Sequence, residues 1–269
     1  MTQKPNIALI GCGKMGGAML RSWVNNSVAN KIAVFDPAPP AEDFAGVTFY
    51  SDITAFCENT ADTNIFIMAV KPQIMADVCT SIKPAVAADA LILSIAAGQT
   101  ISSFEERFGS TQPLIRVMPN TPAAIGKGMS VAVANASASE AQMQQADILL
   151  KAVGKIEWVE DEALLNAVTA VSGSGPAYIF HLIEAMAAAG EQAGLSAELS
   201  MTLARETVIG SAALAASEPE TSAEQLRKNV TSPGGTTQAA LDVLMAEKGL
   251  TDLMTRAITA AKKRGEELA

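Results

Sequence analysis

The feature that most constrains the fold is an alternation of short apolar runs and longer amphipathic stretches over the first 160 residues. The run from Asn6 to Ile10 ends at a glycine, and from Lys14 to about Asn25 apolar residues recur every three or four positions. The predicted strands cover residues 6–10, 31–35, 64–70, 90–95, 114–118 and 156–159, and the predicted helices cover 14–25, 51–59, 72–82, 102–108 and 138–152. Strands without polar alternation are buried on both faces, and helices between strands imply right-handed parallel crossovers. The pattern therefore predicts an α/β fold with a doubly wound, mostly parallel sheet.

The second part of the chain has a different character. Residues 162–269 are rich in Ala, Leu, Met and Glu and contain Gly190, Gly194 and Gly210, which is typical of closely packed helices. The stretches 178–189 and 201–216 are apolar or alanine around most of a helical circumference, so a second chain is expected to cover them. We predict a dinucleotide-binding domain at 1–160 and an all-helical domain at 161–269, with a compact monomeric bundle as the alternative.

Composition excludes several classes of function. The 269 residues are 49% hydrophobic and 17% charged, which favours a folded globular protein. The formal net charge of -9, without a basic cluster, argues against nucleic acid as a partner. Three cysteines without a C-x-x-C pair and a single histidine, His181, predict neither a disulfide framework nor a metal site. The N-terminal apolar run is short, and no apolar stretch approaches the ~18 residues of a membrane span, so we expect a cytoplasmic protein without a membrane anchor.

A G-x-G-x-x-G motif follows the first predicted strand and opens the first predicted helix. Its residues are Gly11, Cys12, Gly13, Lys14, Met15 and Gly16. In this context the backbone N–H groups at the start of the helix can hold a pyrophosphate. The alternative is an ordinary glycine turn that binds nothing.

Asp36 ends the second predicted strand, twenty residues after Gly16. A carboxylate at this position accepts hydrogen bonds from an adenosine ribose and repels a 2′-phosphate, which favours NADH. Pro37, Pro39 and Pro40 follow without an arginine, whereas Lys14 is a cation that could serve NADPH. Asp36 could equally begin a turn ahead of Pro37. We therefore predict a dinucleotide cofactor, NADPH or NADH.

Two further loops follow strands at the edge of the sheet where ligands bind in such folds. One contains Ala69, Val70, Lys71 and Pro72, and the other contains Pro119 and Asn120. We predict that both loops border the nicotinamide. The alternative is that the prolines only set loop geometry and that Lys71 is solvated.

The helical part contains two glycine-rich segments that are expected to expose helix N-termini. The first runs from Val171 to Pro176, and the second runs from Val230 to Thr237. The second carries four hydroxyls, at Thr231, Ser232, Thr236 and Thr237, and it is predicted to cradle a carboxylate without an arginine. Helix capping is the competing explanation for some of these hydroxyls.

Several stretches together resemble the pyrroline-5-carboxylate reductase family over nearly the whole chain. They are IGCGKMG at 10–16, AVKPQ at 69–73, SIAAG at 94–98, RVMPNTPA at 116–123, VSGSGPAY at 171–178 and VTSPGGTTQAAL at 230–241. The first is shared by many nucleotide enzymes, whereas the SGSGPAY and TSPGGTT pair is specific to this family.

The resemblance implies hydride transfer from NAD(P)H to the C=N carbon of 1-pyrroline-5-carboxylate, which gives L-proline. It also implies a Rossmann domain, a helical domain that interlocks with its twin, and a substrate site at the dimer interface. The implied carboxylate site consists of Ser232, Gly234, Gly235 and Thr236, with the hydroxyl of Thr237 directed at the ring nitrogen as the catalytic group. Ser174 and Gly175 would lie near the nicotinamide and the substrate, beside Lys71, Pro119 and Asn120.

Two rival classes are weaker. A β-hydroxyacid dehydrogenase shares the glycine start and a helical second domain, but it needs a lysine followed four residues later by asparagine, which the stretch 176–183 lacks. A redox sensor that binds a dinucleotide without turnover would bind the cofactor and leave it unoxidised in the presence of substrate. The chain departs from the family at Lys14, where asparagine is common, and the family varies at the position of Asp36. The resemblance therefore leaves the preference between NADPH and NADH open.

Overall fold

The computed structural model describes residues 4–38, 40 and 44–268, and the predicted loop residue Pro39 lies outside them. By residue contacts the chain forms two compact units, residues 1–174 with 261–269 and residues 175–260. We call them the sheet unit and the helical unit. The predicted functional division after residue 160 stays a prediction.

The sheet unit contains one eight-stranded sheet. Its strands are β1 (Asn6–Ile10), β2 (Lys31–Phe35), β3 (Val47–Tyr50), β4 (Ile65–Met68), β5 (Leu91–Ser94), β6 (Leu114–Met118), β7 (Gly128–Ala134) and β8 (Gly154–Trp158). They are ordered β3-β2-β1-β4-β5-β6-β7-β8. Every neighbouring pair is parallel except β6 and β7. The predicted doubly wound, mostly parallel sheet is confirmed.

Two features of the sheet were not predicted. β3 is a four-residue edge strand with a partly exposed pattern, so it lacks the apolar run that marks the inner strands. β7 runs antiparallel to β6 because only a 3-10 turn at Thr121–Ile125 joins them, and a parallel crossover needs a dozen or more residues.

Six helices accompany this sheet in the described part of the sheet unit. They are α1 (Lys14–Asn25), α2 (Ile53–Glu58), α3 (Met75–Ile82), α4 (Ile101–Phe108), α5 (Glu140–Lys151) and α6 (Leu164–Val168). Successive strand residues point to opposite faces, so Ile65 and Ile67 join one buried cluster while Phe66 and Met68 join the other. The first cluster contains Trp23. Each fully buried large side chain contributes about 1.5–3 kcal/mol to stability.

Residues beyond the last strand still belong to the sheet unit because they pack on it. Leu165 of α6 is buried in a small cluster with Met118 and Val131. The Glu162 carboxylate forms an ion pair with Arg116, whose side chain is only 8% exposed. These contacts explain why the compact unit extends to Ser174.

The remaining helices are α7 (Gly175–Gln192), α8 (Ala197–Ser217), α9 (Ala223–Asn229), α10 (Thr236–Leu244) and α11 (Leu250–Leu268). Residues 175–260 of this stretch form the helical unit, and the end of α11 groups with the sheet unit. Within the helical unit, α7 and α8 approach closely at Gly190, where an added Cβ would lie 2.9 Å from the Ser200 hydroxyl oxygen. Ala187 and Ala204 are also buried, so small residues do lie at this contact.

The helical unit leaves many large apolar side chains exposed. Phe180 is 62% exposed and Ile209 is 52% exposed. Both lie in the stretches whose all-round apolar character led us to expect a second chain. Among the described helices, none is both long enough and apolar enough to cross a membrane.

Candidate active site

The glycine loop, Gly11–Gly16, lies where the order of the strands reverses. β1 pairs with β2 on one side and with β4 on the other, so the loop after β1 sits at the topological switch point, where such sheets bind ligands. The Ala69 N–H donates to the Ile10 carbonyl over 2.8 Å, which holds the loop after β4 against the glycine loop. Residues separated by almost sixty positions thus form one edge of the cleft.

The three glycines of the loop are required for different reasons. Gly11 has a φ of +95°, and a Cβ there would lie 2.8 Å from the Ala69 carbonyl oxygen. A Cβ at Gly16 would lie 2.2 Å from the carbonyl oxygen of Gly11, so α1 could not approach the loop. A Cβ at Gly13 would meet no atom of the described residues within 4 Å. Gly11 and Gly16 are therefore needed for the close packing of the loop, while Gly13 leaves open space beside it.

The space beside Gly13 lies at the start of α1, where the local chemistry suits a phosphate. Gly13 is the N-cap of α1, and a glycine offers no side chain to cap the first N–H groups of the helix. No acidic residue occupies the first turn of α1, which begins with Lys14 and Met15. Backbone N–H groups at a helix start, with the positive end of the helix dipole, favour a phosphate.

Asp36 begins the turn considered for it, and its role toward a ribose stays a prediction. Its Oδ1 accepts the N–H of Ala38 over 2.9 Å, which is the predicted turn. Its Oδ2 accepts the N–H of Cys12 over 2.7 Å, and this second contact ties the end of β2 to the glycine loop. The carboxylate is therefore held in the cleft by two backbone donors.

The glycine loop opens onto a cleft of about 470 Å³ in the sheet unit. The walls come from the ends of β1, β2 and β4 and from α2 and α3. The lining residues include Gly11, Gly13, Phe35, Asp36, Pro37, Ile53, Ala69, Val70, Lys71, Ile74 and Asp77. The structure thus brings the glycine loop, Asp36 and the Ala69–Lys71 loop into one cleft.

The loop after β4 also borders a second cleft of about 570 Å³ in the sheet unit, through Pro72 and Gln73. Pro72 begins a 3-10 turn that precedes α3, so the predicted helix at 72–82 starts in a tighter form. The second cleft is lined further by Gly98, Arg116, Asn166, Thr169, Ser174 and Arg264. Ser174, predicted from the helical part of the sequence, therefore lies beside the loop predicted to border the nicotinamide.

Asn120 is held by its neighbours in the sheet unit. Its side-chain oxygen accepts the N–H of Met129 over 2.8 Å, and its Nδ2 donates to the carbonyl and the hydroxyl of Ser172 over 3.3 and 3.2 Å. Asn120 therefore joins β7 to the segment around Ser172. Pro119 lies between Met118, the last residue of β6, and Asn120.

The prediction that residues 171–176 form a turn exposing a helix N-terminus was wrong. Residues Thr169–Gly173 form a π-helix between α6 and α7. The Ser174 N–H donates to the Thr169 carbonyl over 2.8 Å, so the helical hydrogen bonding continues through this segment. Short π segments inside helices are frequent at functional sites. Gly175 begins α7 directly after Ser174.

The second glycine-rich segment forms a turn, as predicted, and the helix α10 that follows it has no side-chain N-cap. We call residues Thr231–Thr237 the hydroxyl turn. Gly234 has a φ of +69°, and Gly235 is the N-cap of α10. The Thr231 hydroxyl donates to the Arg227 carbonyl over 2.7 Å and so completes the end of α9.

The other three hydroxyls of this turn are available. Within the described residues, the hydroxyls of Ser232, Thr236 and Thr237 make no hydrogen bond, and no side chain caps α10. Capping therefore explains none of these three hydroxyls. Together with the first N–H groups of α10 they form a set of donors suited to a small carboxylate.

Some residues at this edge of the sheet unit were missed by sequence reasoning. The Glu162 carboxylate forms an ion pair with Arg116 and so offsets its positive charge beside the second cleft. The same carboxylate accepts the Ile101 N–H over 2.8 Å. Arg264, near the end of the chain, lines the same cleft. No local pattern marks Glu162, because its partners Arg116 and Ile101 lie far away in sequence.

His181 lies on the surface of α7, where its Nδ1 is 2.9 Å from a Glu184 oxygen. Its side chain is 80% exposed.

The sheet, the switch-point cleft and the separate helical unit define a dinucleotide-dependent oxidoreductase. Two family profiles match the chain. One is described as pyrroline-5-carboxylate reductase dimerisation and covers residues 162–268, and the other is described as NADP oxidoreductase, coenzyme F420-dependent, and covers residues 6–98.

A pyrroline-5-carboxylate reductase from Pseudomonas aeruginosa is 43% identical, with 98% of this chain and 97% of the relative covered. The solved reductase from Coxiella burnetii has a TM-score of 0.91 at 35% identity, with 99% of both chains covered. The Plasmodium falciparum enzyme, solved with NADP bound, has a TM-score of 0.83 at 28% identity and covers 100% of this chain and 99% of its own. The chain belongs to the pyrroline-5-carboxylate reductase family, and its helical part carries the dimerisation region of that family.

Proposed function

We propose that the glycine loop and the hydroxyl turn carry out the two halves of the family's reaction in this chain. The chain is an NAD(P)H-dependent oxidoreductase that reduces the C=N bond of 1-pyrroline-5-carboxylate to give L-proline, the last step of proline biosynthesis. The residue roles are our proposal. The observation that carries it is that the hydroxyls of Ser232, Thr236 and Thr237 make no hydrogen bond within the described residues, in a segment that is specific to the family.

The nucleotide half belongs to the sheet unit. Gly11, Cys12, Gly13, Lys14, Met15 and Gly16 would hold the pyrophosphate, and Asp36 would receive the adenosine ribose. Ala69, Val70, Lys71, Pro72, Pro119 and Asn120 would border the nicotinamide. When bound, NAD(P)H supplies a hydride, and these residues orient it and keep water away.

The substrate half belongs to the hydroxyl turn. Ser232, Gly234, Gly235 and Thr236 would hold the carboxylate with hydroxyl and N–H donors, and the Thr237 hydroxyl would orient the ring nitrogen. Ser174 and Gly175 would border the substrate. In our proposal dimerisation brings the two halves together, as the resemblance implies.

This set of residues matches the needs of imine reduction. The protonated substrate and NAD(P)H give proline and NAD(P)⁺: a C–H bond forms at the imine carbon and the C=N electron pair becomes the nitrogen lone pair. An iminium accepts hydride without a strong acid, so one oriented hydroxyl is sufficient. Reduction of a ketone would need a better proton donor for the developing alkoxide. The exposed position of His181 is in keeping with a reaction that needs no histidine.

The proposal also includes the partners and the place of the protein. We propose a homodimer formed through the exposed apolar side chains of α7 and α8, and no nucleic-acid partner, because a formal net charge of -9 repels phosphate backbones. A cytoplasmic location agrees with the use of a nucleotide reductant.

The test is the loss of NADPH or NADH absorbance when the cyclic imine is supplied, with the wild type and Thr237→Ala. We expect Thr237→Ala to lower kcat by about tenfold to a hundredfold, since a hydrogen bond to a charged group is worth about 1.5–3 kcal/mol. Nucleotide affinity, measured by calorimetry, should stay within about twofold of the wild type because Thr237 lies outside the glycine loop.

Thr255→Ala is the matched control, since the Thr255 hydroxyl donates to its own helix at the Thr251 carbonyl and lies on an exposed face. Its kcat should equal that of the wild type. An unchanged rate in Thr237→Ala would remove Thr237 from the mechanism, and a wild type that binds nucleotide without oxidising it would support the sensor alternative.

A further inference from the structure

We infer that this chain prefers NADH to NADPH and that Asp36 sets the preference. The inference rests on the proposed nucleotide role of the glycine loop. It concerns one part of that site, where the second strand of the sheet delivers a carboxylate into the cleft.

Asp36 is positioned to accept two further hydrogen bonds. A carboxylate has about four acceptor sites on its two oxygens. The N–H groups of Cys12 and Ala38 occupy one site on each oxygen, at 2.7 and 2.9 Å. One site on each oxygen is left for the two hydroxyls of an unmodified ribose. Because the Cys12 contact also fixes the glycine loop, the carboxylate holds its place before the nucleotide arrives.

The sequence that follows Asp36 offers no cation for a 2′-phosphate. The sequence from residue 36 to residue 50 contains Asp36, Glu42 and Asp43 and no lysine or arginine. A 2′-phosphate adds a dianionic group that needs an arginine or a similar donor at this position. The nearest basic residue of β2, Lys31, begins the strand at its other end, where its Nζ lies 3.0 Å from Asp62.

Lys71 lines the nucleotide cleft and Lys14 follows Gly13 of the glycine loop, and neither lysine belongs to β2. Lys71 follows β4, which lies on the other side of β1 from β2, so it faces the nicotinamide half. Lys14 begins α1, where it adds positive charge beside the pyrophosphate. Both nucleotides contain that pyrophosphate, so Lys14 strengthens the binding of both.

The test compares two fragments that differ only in the 2′-phosphate. ADP-ribose and 2′-phospho-ADP-ribose are titrated into the whole protein by calorimetry, which measures binding without turnover. We expect ADP-ribose to bind about tenfold or more tightly than its phosphorylated form. The ratio of kcat/KM for NADH and NADPH should follow the same order.

Substitutions then assign the preference to one residue. Asp36→Ser should weaken ADP-ribose about tenfold and remove most of the discrimination. Asp36→Asn removes the negative charge but keeps an oxygen that can accept the Cys12 N–H. It should therefore lose discrimination between the two fragments without disturbing the glycine loop, which the serine variant could do. Asp252→Asn is the control, because Asp252 pairs with Arg256 on α11, is not among the residues that line this cleft, and should leave both affinities unchanged. Lys14→Ala should weaken both fragments by equal factors.

Each outcome separates the inference from the proposed function. Equal or tighter binding of 2′-phospho-ADP-ribose by the wild type would overturn the NADH preference and leave the nucleotide site in place. A loss of only that fragment in Lys14→Ala would contradict the role given to Lys14 at the pyrophosphate. Failure of both fragments to bind would overturn the proposed role of the glycine loop and this inference with it.

Discussion

The glycine loop and the hydroxyl turn both place glycines ahead of a helix, yet their glycines are required for different reasons. At Gly11 and Gly16 an added Cβ would collide with backbone oxygens at 2.8 and 2.2 Å. A Cβ added at Gly234 of the hydroxyl turn would meet no described atom within 4 Å, so this glycine is required only by its φ of +69°. The shape of the first segment therefore depends on packing in the sheet unit, and the shape of the second depends on its own backbone.

This difference indicates how each segment responds to change. A substitution in the packed glycine loop is expected to lower the stability of the fold, the affinity for nucleotide, or both, depending on which glycine is replaced. A substitution in the exposed hydroxyl turn is expected to cost little stability and, under the proposed function, to act mainly on substrate binding. Three measurements test this division, from the largest expected effect to the smallest.

The largest effect is expected at Gly13. Gly13→Val should lower dinucleotide affinity at least about a hundredfold, because the side chain fills the open space where the pyrophosphate approaches the backbone. Its stability should fall by only about 1 kcal/mol, the cost of a poor N-cap residue. Calorimetry and a thermal melt measure the two quantities.

Gly16→Ala is the matched comparison, because its Cβ would overlap the Gly11 carbonyl oxygen. Overpacking of this kind costs about 1–3 kcal/mol or more, so Tm should drop by roughly 5 °C or more. If Gly13→Val retained dinucleotide affinity, the glycine loop would not be the pyrophosphate site.

An intermediate effect is expected at Gly234. Gly234→Ala should raise the KM for the imine several-fold, because a left-handed residue with a Cβ costs about 1 kcal/mol and shifts the donors of the hydroxyl turn. Gly126→Ala is the control, since Gly126 has a φ of +68° and its Cβ would also meet no described atom within 4 Å. Equal KM values in the two variants would show that strain alone, and not its place in the hydroxyl turn, determines the effect.

The smallest effect concerns the reactivity of thiols. Burial raises the pKa of Cys79 to about 11, and burial followed by the nearby Asp52 raises the pKa of Cys57. A raised pKa leaves less thiolate, so below pH 9 both should be alkylated slowly, and Cys79 should gain reactivity only as the pH approaches about 11. Mass spectrometry of the labelled peptides measures each rate.

Cys12 extends the same experiment to the comparison between the two segments. Because it lies in the glycine loop, ADP-ribose should protect it from alkylation, while L-proline should not. Protection by proline in the absence of nucleotide would contradict the assignment of substrate to the hydroxyl turn.

Much of the sheet unit could be predicted from periodicity. β1, α1, β2 and β6 have the predicted bounds, because each is a regular element whose apolar spacing is set by burial. β3 was missed since an edge strand needs no apolar run, and the Thr169–Gly173 π-helix was missed because serines and glycines suggest a turn in a local sequence. The exposed face of α7 was anticipated from its all-round apolar composition.

The sequence by itself determined the class of the protein, through motifs whose residues lie close together along the chain. Strand order, the Cys12–Asp36 hydrogen bond and the Arg116–Glu162 ion pair were decided only by the tertiary structure. The physical reason is distance along the chain. A local pattern records whether a residue is buried and in which element, whereas the partner of a carboxylate or an amide depends on which distant segment the packing of the core brings to it.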